Sequence, residues 1–111
     1  MIGRSRSARR VALIYNPIKV DKKALRAAVR RCAHDAGWLA PLFYETTVKD
    51  IGDGVARRAL SMGVGAVLVA GGDGTVRAVS EAMNGSGVPL TIVPSGTGNL
   101  LARNLRLPLD D

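Results

Sequence analysis

The chain has 111 residues, 47% of them hydrophobic, which is the size of one globular domain with a core of its own. Its single cysteine, Cys32, and single histidine, His34, exclude an intrachain disulfide, a Cys-based zinc cage, a serine-hydrolase triad and a multi-histidine metal site. A net charge of +7, carried by twelve arginines and four lysines, asks for an anionic partner: nucleotide phosphate, an acidic membrane surface or nucleic acid. With only 4% aromatic residues the stacking platforms of single-strand binders are missing, so nucleic acid is set aside. No apolar run approaches the length of a membrane span, and single-cysteine usage fits a cytoplasmic protein.

Residues 1–10, with Arg4, Arg6, Arg9 and Arg10, read as a basic, flexible tail. Val11 to Tyr15 is an unbroken apolar run that stops at Asn16-Pro17, the pattern of a strand buried on both faces. From Asp21, a suitable N-cap, the positions Ala24, Leu25, Ala28, Val29, Cys32 and Ala36 recur at helical spacing until Gly37. Arg26, Arg30 and Arg31 are expected to face away from that stripe. Leu39 to Thr46 reads as a second strand, with Trp38 packing at its start. Ile51, Val55, Ala59 and Met62 then mark a second helix, ended by Gly63.

Ala66 to Ala70 is a third strand, Val76, Val79 and Met83 give a third helix, and Leu90 to Val93 is a fourth strand ending at Pro94. A short last helix is expected from about Gly98 to Leu101, running out before Pro108. Strand and helix in strict alternation predict an open three-layer α/β/α domain on a mostly parallel, Rossmann-like sheet over residues 11–111. An uncovered sheet edge would leave homo-oligomer formation open.

Two strand ends carry glycine-rich loops: Gly71-Gly72-Asp73-Gly74-Thr75 and Ser95-Gly96-Thr97-Gly98-Asn99. Glycine permits positive φ and lets backbone N–H groups approach a polyphosphate, and Thr75, Ser95 and Thr97 add hydroxyl donors. Asp73 would repel a bare phosphate, so its presence points to a Mg²⁺-nucleotide, with the carboxylate reaching the ion through water. Neither loop has the lysine of a P-loop or the spacing of the dinucleotide fingerprint.

The first loop is similar to the GGDGT signature shared by diacylglycerol, sphingosine and ceramide kinases and by NAD kinases. Pro94 to Asn99, followed by Leu100-Leu101-Ala102-Arg103 and Leu107-Pro108, resembles the corresponding lipid-kinase segment, and Asn16-Pro17 resembles its opening motif. The resemblance implies an ATP-binding N-terminal domain of a lipid kinase that phosphorylates diacylglycerol or a similar lipid at the inner face of the membrane. It implies ATP contacts from Asn16, from Thr47 or Thr46, from Gly71, Gly72, Asp73, Gly74 and Thr75, and from Thr97 within the second loop. The alternatives are an NAD kinase-like enzyme or a non-catalytic nucleotide-binding fragment.

Three positions depart from the family pattern. Leu100 replaces an aspartate, Ile18-Lys19-Val20 replaces small residues and glycine, and Arg77-Ala78 replaces Asn-Glu, leaving Glu81 without a role. The resemblance implies that the glutamate base, Mg²⁺ ligands and lipid-contacting surface belong to a β-rich second domain, expected to lie outside these 111 residues. Glu45 and Glu81, the only glutamates, read as solvated surface residues.

Overall fold

The computed structural model describes residues 9–93. Four strands, β1 (Val11–Tyr15), β2 (Leu42–Glu45), β3 (Ala66–Ala70) and β4 (Leu90–Ile92), alternate with three helices, α1 (Lys22–Asp35), α2 (Asp53–Ser61) and α3 (Asp73–Met83). All strand pairs are parallel and the order is β2-β1-β3-β4. The Rossmann-like α/β prediction therefore holds, and the fourth-strand end expected to carry the second glycine loop lies beside β3.

The two central strands are apolar throughout because both of their faces are covered. Val11, Leu13, Tyr15, Leu68 and Ala70 pack with Leu25, Val29 and Ala33 of α1 on one side. Ala12, Ile14, Val67 and Val69 pack with Val55 and Ala59 of α2 and Val79 and Met83 of α3 on the other. Each fully buried Val, Leu or Ile contributes about 1.5–3 kcal/mol of transfer free energy, so β1 and β3 dominate the stability of the sheet. The step from β1 out to β2 crosses one face. The return past β1 to β3, and the step on to β4, cross the other. Opposite directions on opposite faces give every crossover the same hand, as twisted parallel sheets require.

Asp21 caps α1 as expected, its Oδ1 accepting the Ala24 N–H at 3.2 Å, and Gly37 leaves the helix at φ +79°. Other boundaries move. β2 begins at Leu42 rather than Leu39, since Pro41 has no N–H to offer a ladder. Ile51 and Met62 fall outside α2 and are 48% and 56% exposed. The helix cannot include Ile51 because Gly52, at φ +152°, breaks the chain direction before Asp53.

Arg30 and Arg31 are exposed as expected, whereas Arg26 is half-buried. The guanidinium carbons of Arg26 and Arg30 lie 4.6 and 5.0 Å from the centre of the Phe43 ring, so their stems run over the edge strand. Arg9 and Arg10 are tied to the sheet's lower end: Leu39 N–H donates to the Arg9 carbonyl at 2.7 Å and Gly65 N–H to that of Arg10 at 2.8 Å. Arg9 sits 5.6 Å above the Trp38 ring. Residues 94–111, including Ser95, Gly96, Thr97, Gly98, Asn99, Leu100 and the expected last helix, lie outside the described residues.

Candidate functional site

A doubly wound sheet opens a crevice where successive crossovers depart in opposite directions, at the carboxyl ends of the two strands on either side. Here those strands are β1 and β3, and the residues that follow them are Asn16 and Gly71. The two strand ends are stitched together, the Asn16 N–H donating to the Ala70 carbonyl at 3.0 Å. A Cβ built on Gly71 would stand 3.2 Å from Thr75 Cβ, 3.3 Å from Thr75 Cγ2 and 3.4 Å from Asn16 Cβ. Glycine at 71 therefore lets the first turn of α3 settle against the end of β1, with Thr75 buried between them.

α3 starts at Asp73 with Gly72 as its N-cap, and no side chain caps it. Val76 N–H reaches the Gly72 carbonyl at 3.1 Å, while the first-turn N–H groups of Asp73, Gly74 and Thr75 point outward, as at any helix start. The positive φ anticipated for the loop glycines is not what they supply. Gly71, Gly72 and Gly74 all keep negative φ, and the positive values fall at Gly37, Gly52, Gly63, Gly85 and Gly87. Gly72 and Gly74 instead leave open space, since a Cβ on either would meet no atom within 4 Å among the described residues. The described residues thus impose no steric need of glycine at 72 or 74.

Around this helix start the other expected residues take distinct places. Asn16 Oδ1 accepts the Ile18 N–H at 2.9 Å, closing the turn after β1 and leaving its Nδ2 hydrogens uncommitted among the described residues. Thr46 is buried, and its N–H donates to the Tyr15 carbonyl at 2.9 Å, level with Asn16. Thr47 is exposed; its Oγ1 accepts the Asp50 N–H at 2.9 Å, which still leaves a hydroxyl proton to donate. Asp73 is exposed, with no hydrogen bond or ion pair to the described residues. No group of three His, Cys, Asp or Glu side chains among them could hold a metal ion.

Two polar devices were missed in the sequence. Asp50 Oδ1 accepts the N–H groups of Gly52 at 3.2 Å and Gly54 at 3.0 Å, so it caps the start of α2 from outside the helix. An aspartate two residues ahead of a glycine, at the head of an apolar helical stripe, was the available signal. Glu45, read as a solvated residue, is half exposed but bonded: its Oε2 accepts from Lys22 Nζ at 3.0 Å and from the Tyr15 hydroxyl at 2.9 Å. A contact between residues thirty apart leaves no trace in local spacing.

Lys22, and then Tyr15, hold the Glu45 carboxyl below the ordinary glutamate value. Burial, reinforced by Glu45, pushes the Tyr15 hydroxyl up. Because folded Glu45 releases its proton more readily than the unfolded chain does, its contribution is present above about pH 4.3 and is lost as pH falls through the lower folded value. Glu45→Gln should therefore flatten the acid limb of a plot of melting temperature against pH. An unchanged limb would mean that the cluster is not formed in solution.

These features define an open, doubly wound α/β domain whose crevice is floored by a glycine-flanked, uncapped helix start. The chain belongs to the diacylglycerol kinase catalytic domain family, the family pattern matching residues 10–111. It is 46% identical over 50 residues to the diacylglycerol kinase of Mycobacterium tuberculosis (strain H37Rv), covering 45% of this chain and 16% of that protein. It is 45% identical over 64 residues to the probable lipid kinase YegS-like of Pseudomonas aeruginosa (strain PAO1), covering 52% of this chain and 21% of that protein. A third relative, the uncharacterized protein sll0036 of Synechocystis, is 43% identical over 42 residues. The chain thus spans about a fifth or less of the length of these curated relatives.

Proposed function

We propose that this chain is the ATP-binding part of a lipid kinase that transfers the γ-phosphoryl group of ATP to the hydroxyl of diacylglycerol or a similar lipid. The observation that carries the reading is the start of α3. It is a helix N-terminus at the switch point without a side-chain cap among the described residues, flanked by two glycines whose missing side chains leave room that no described residue fills. Outward N–H groups at a helix start favour phosphate oxygens, and the absence of Cβ atoms allows them contact. Asn16 Nδ2 and a hydroxyl of Thr46 or Thr47 would orient the nucleotide from the β1 and β2 ends. Ser95, Gly96, Thr97, Gly98 and Asn99 are assigned to the same nucleotide from the end of β4.

Asp73 fits Mg²⁺ as a partner held through water. It is a single exposed carboxylate with no protein partner among the described residues, too few donors for a direct cage but enough to accept from metal-bound water. The ion, when bound, neutralises phosphate charge. In the transfer the lipid oxygen bonds to the γ-phosphorus, the bond to the bridging oxygen breaks, and ADP leaves with that electron pair. The family resemblance assigns the base that takes the hydroxyl proton to sequence outside these 111 residues; within the chain, Glu45 is committed to Tyr15 and Lys22, and Glu81 lies at the far end of α3. Such an enzyme would work from the cytoplasm at the inner face of the membrane.

Calorimetry with ATP, in Mg²⁺ and again with the ion chelated, tests the binding half. Mg-ATP should bind and chelation should weaken it. Asp73→Ala should reduce Mg-ATP affinity by roughly tenfold, the worth of one charge-assisted hydrogen bond. It should change stability by less than about 1 kcal/mol, the scale of a charge at a helix start. Equal affinity with and without Mg²⁺, unaffected by Asp73→Ala, would remove Asp73 from the site. Preference for NAD over diacylglycerol as acceptor in a longer protein would move the reading to an NAD kinase-like enzyme.

A further inference from the structure

β2 is an outer strand of the sheet and is paired, among the described residues, with β1 alone. Along a parallel strand each residue turns its N–H and C=O to one side, and successive residues alternate. Tyr15 stands opposite Glu45, and its carbonyl accepts the Thr46 N–H at 2.9 Å, so Thr46 and Tyr44 face β1. Phe43 and Glu45 therefore turn their N–H and C=O groups outward, where no described residue bonds them.

The side chains of this edge sort by face. Phe43 packs with the α1 cluster, and Leu42 and Tyr44 with the cluster beneath α2 and α3. All three are only half-buried, whereas β1 and β3 are buried throughout. On the α1 face the edge is basic. Lys22, Arg26 and Arg30 follow one another at helical spacing and, with Lys23, line a shallow groove, and both guanidiniums rest on Phe43. Glu45 is already bonded to Lys22 and to the Tyr15 hydroxyl, and Lys23, Arg26 and Arg30 have no ion pair with the described residues. Cations that guard a sheet edge normally project from the strand itself. Here α1 carries them over one face of the strand, and none bonds the outward groups of Phe43 and Glu45.

A strand added along this edge would set alternate side chains on opposite faces. Those level with Phe43 would lie on the α1 face, where carboxylates meet the two arginines. Those level with Leu42 and Tyr44 would lie on the other face, where apolar groups complete the cover of half-buried side chains. The outward N–H and C=O groups would supply the ladder. We propose that the outer edge of β2 is a docking site for an extended polypeptide segment of alternating acidic and apolar residues, which joins the sheet as a further strand. This edge lies beyond β2 and the crevice between β1 and β3, so its occupant is independent of the nucleotide reading.

Fluorescence anisotropy at low salt tests the docking, with an end-capped, labelled peptide of about six residues that alternates glutamate and valine. The chain should bind it, and added salt should weaken binding. A peptide of the same composition with its glutamates and valines in two blocks should bind roughly tenfold more weakly or worse, as should the alternating peptide with alternate amides N-methylated. Arg26→Gln with Arg30→Gln should lower affinity by roughly tenfold, about threefold for each exposed ion pair, while Arg26→Lys with Arg30→Lys keeps the charges and most of the affinity. Amide hydrogen exchange on the parent chain gives a readout free of any variant. The peptide should slow exchange at Phe43 and Glu45 and leave Tyr44 and Thr46, already bonded to β1, little changed.

No binding of the alternating peptide overturns the proposal. Equal affinity for the alternating and block peptides, or binding that leaves the Phe43 and Glu45 amides unprotected, also overturns it and reduces the edge to a basic surface that adsorbs polyanions. So does a peptide-free dimer in sedimentation velocity with those two amides already protected, which would give the edge to a second copy of the chain.

Discussion

Gly52→Ala should destabilise the domain by about 2–4 kcal/mol and lower the melting temperature by roughly 10 °C or more. Two independent faults add at this position. The backbone holds φ +152°, a region that side chains disfavour, and the new Cβ would stand 2.8 Å from Val79 Cγ2 and 3.1 Å from the Thr75 carbonyl oxygen. Val79 is fully buried between α3 and the sheet, so its methyl has nowhere to withdraw. The contact with Thr75 links the fault to the crevice, because relief would push α3 outward at its first turn. Gly37→Ala is the control, with positive φ +79° but nothing within 4 Å of its Cβ among the described residues, and should cost only the backbone strain, about 1 kcal/mol. Equal losses at both positions would show that crowding against α3 is absent.

The elements that sequence reasoning located best are those whose signals are local. β1 and β3 match their expected limits because an apolar run bounded by turn residues leaves little choice of end, and Asp21 and Gly37 mark α1 by capping chemistry. Ile51 and Met62 misled because helical spacing alone cannot see where the backbone leaves the helix: Gly52 turns it before Asp53, and Met62 is already the C-cap ahead of Gly63 at φ +73°. The glycines of the first loop were rightly placed at a helix start but for half of the right reason. Their freedom of φ is unused; Gly71 is set by close packing against Thr75 and Asn16, while Gly72 and Gly74 combine ordinary backbone with space that no described residue fills. Strand order was never legible in spacing, yet it is what brings Asn16 beside Gly71. The links from Tyr15 and Lys22 to Glu45, and from Arg26 and Arg30 to Phe43, depend on that same neighbouring of β1 and β2.

Gly74→Ala separates folding from binding at that helix start. Gly74 is the second residue of α3, with ordinary helical backbone and no described residue within 4 Å of where a Cβ would go. For the fold, alanine is the better residue, and the variant should be more stable than the parent by about 0.4–1 kcal/mol. For a phosphate resting on the first-turn N–H groups, the same methyl occupies the approach, and Mg-ATP affinity should fall by roughly ten- to hundredfold, the scale of an unrelieved overpacking contact. Chemical denaturation and calorimetry on one preparation read both effects. A general loss of structure would lower stability and affinity together, whereas ligand contact at the glycines drives them in opposite directions. A variant that gains stability and binds Mg-ATP as tightly as the parent would place the nucleotide away from the α3 start. Gly72→Ala, at extended φ −81° and ψ 178°, carries the same expectation for binding with little change in stability, because that backbone suits any residue.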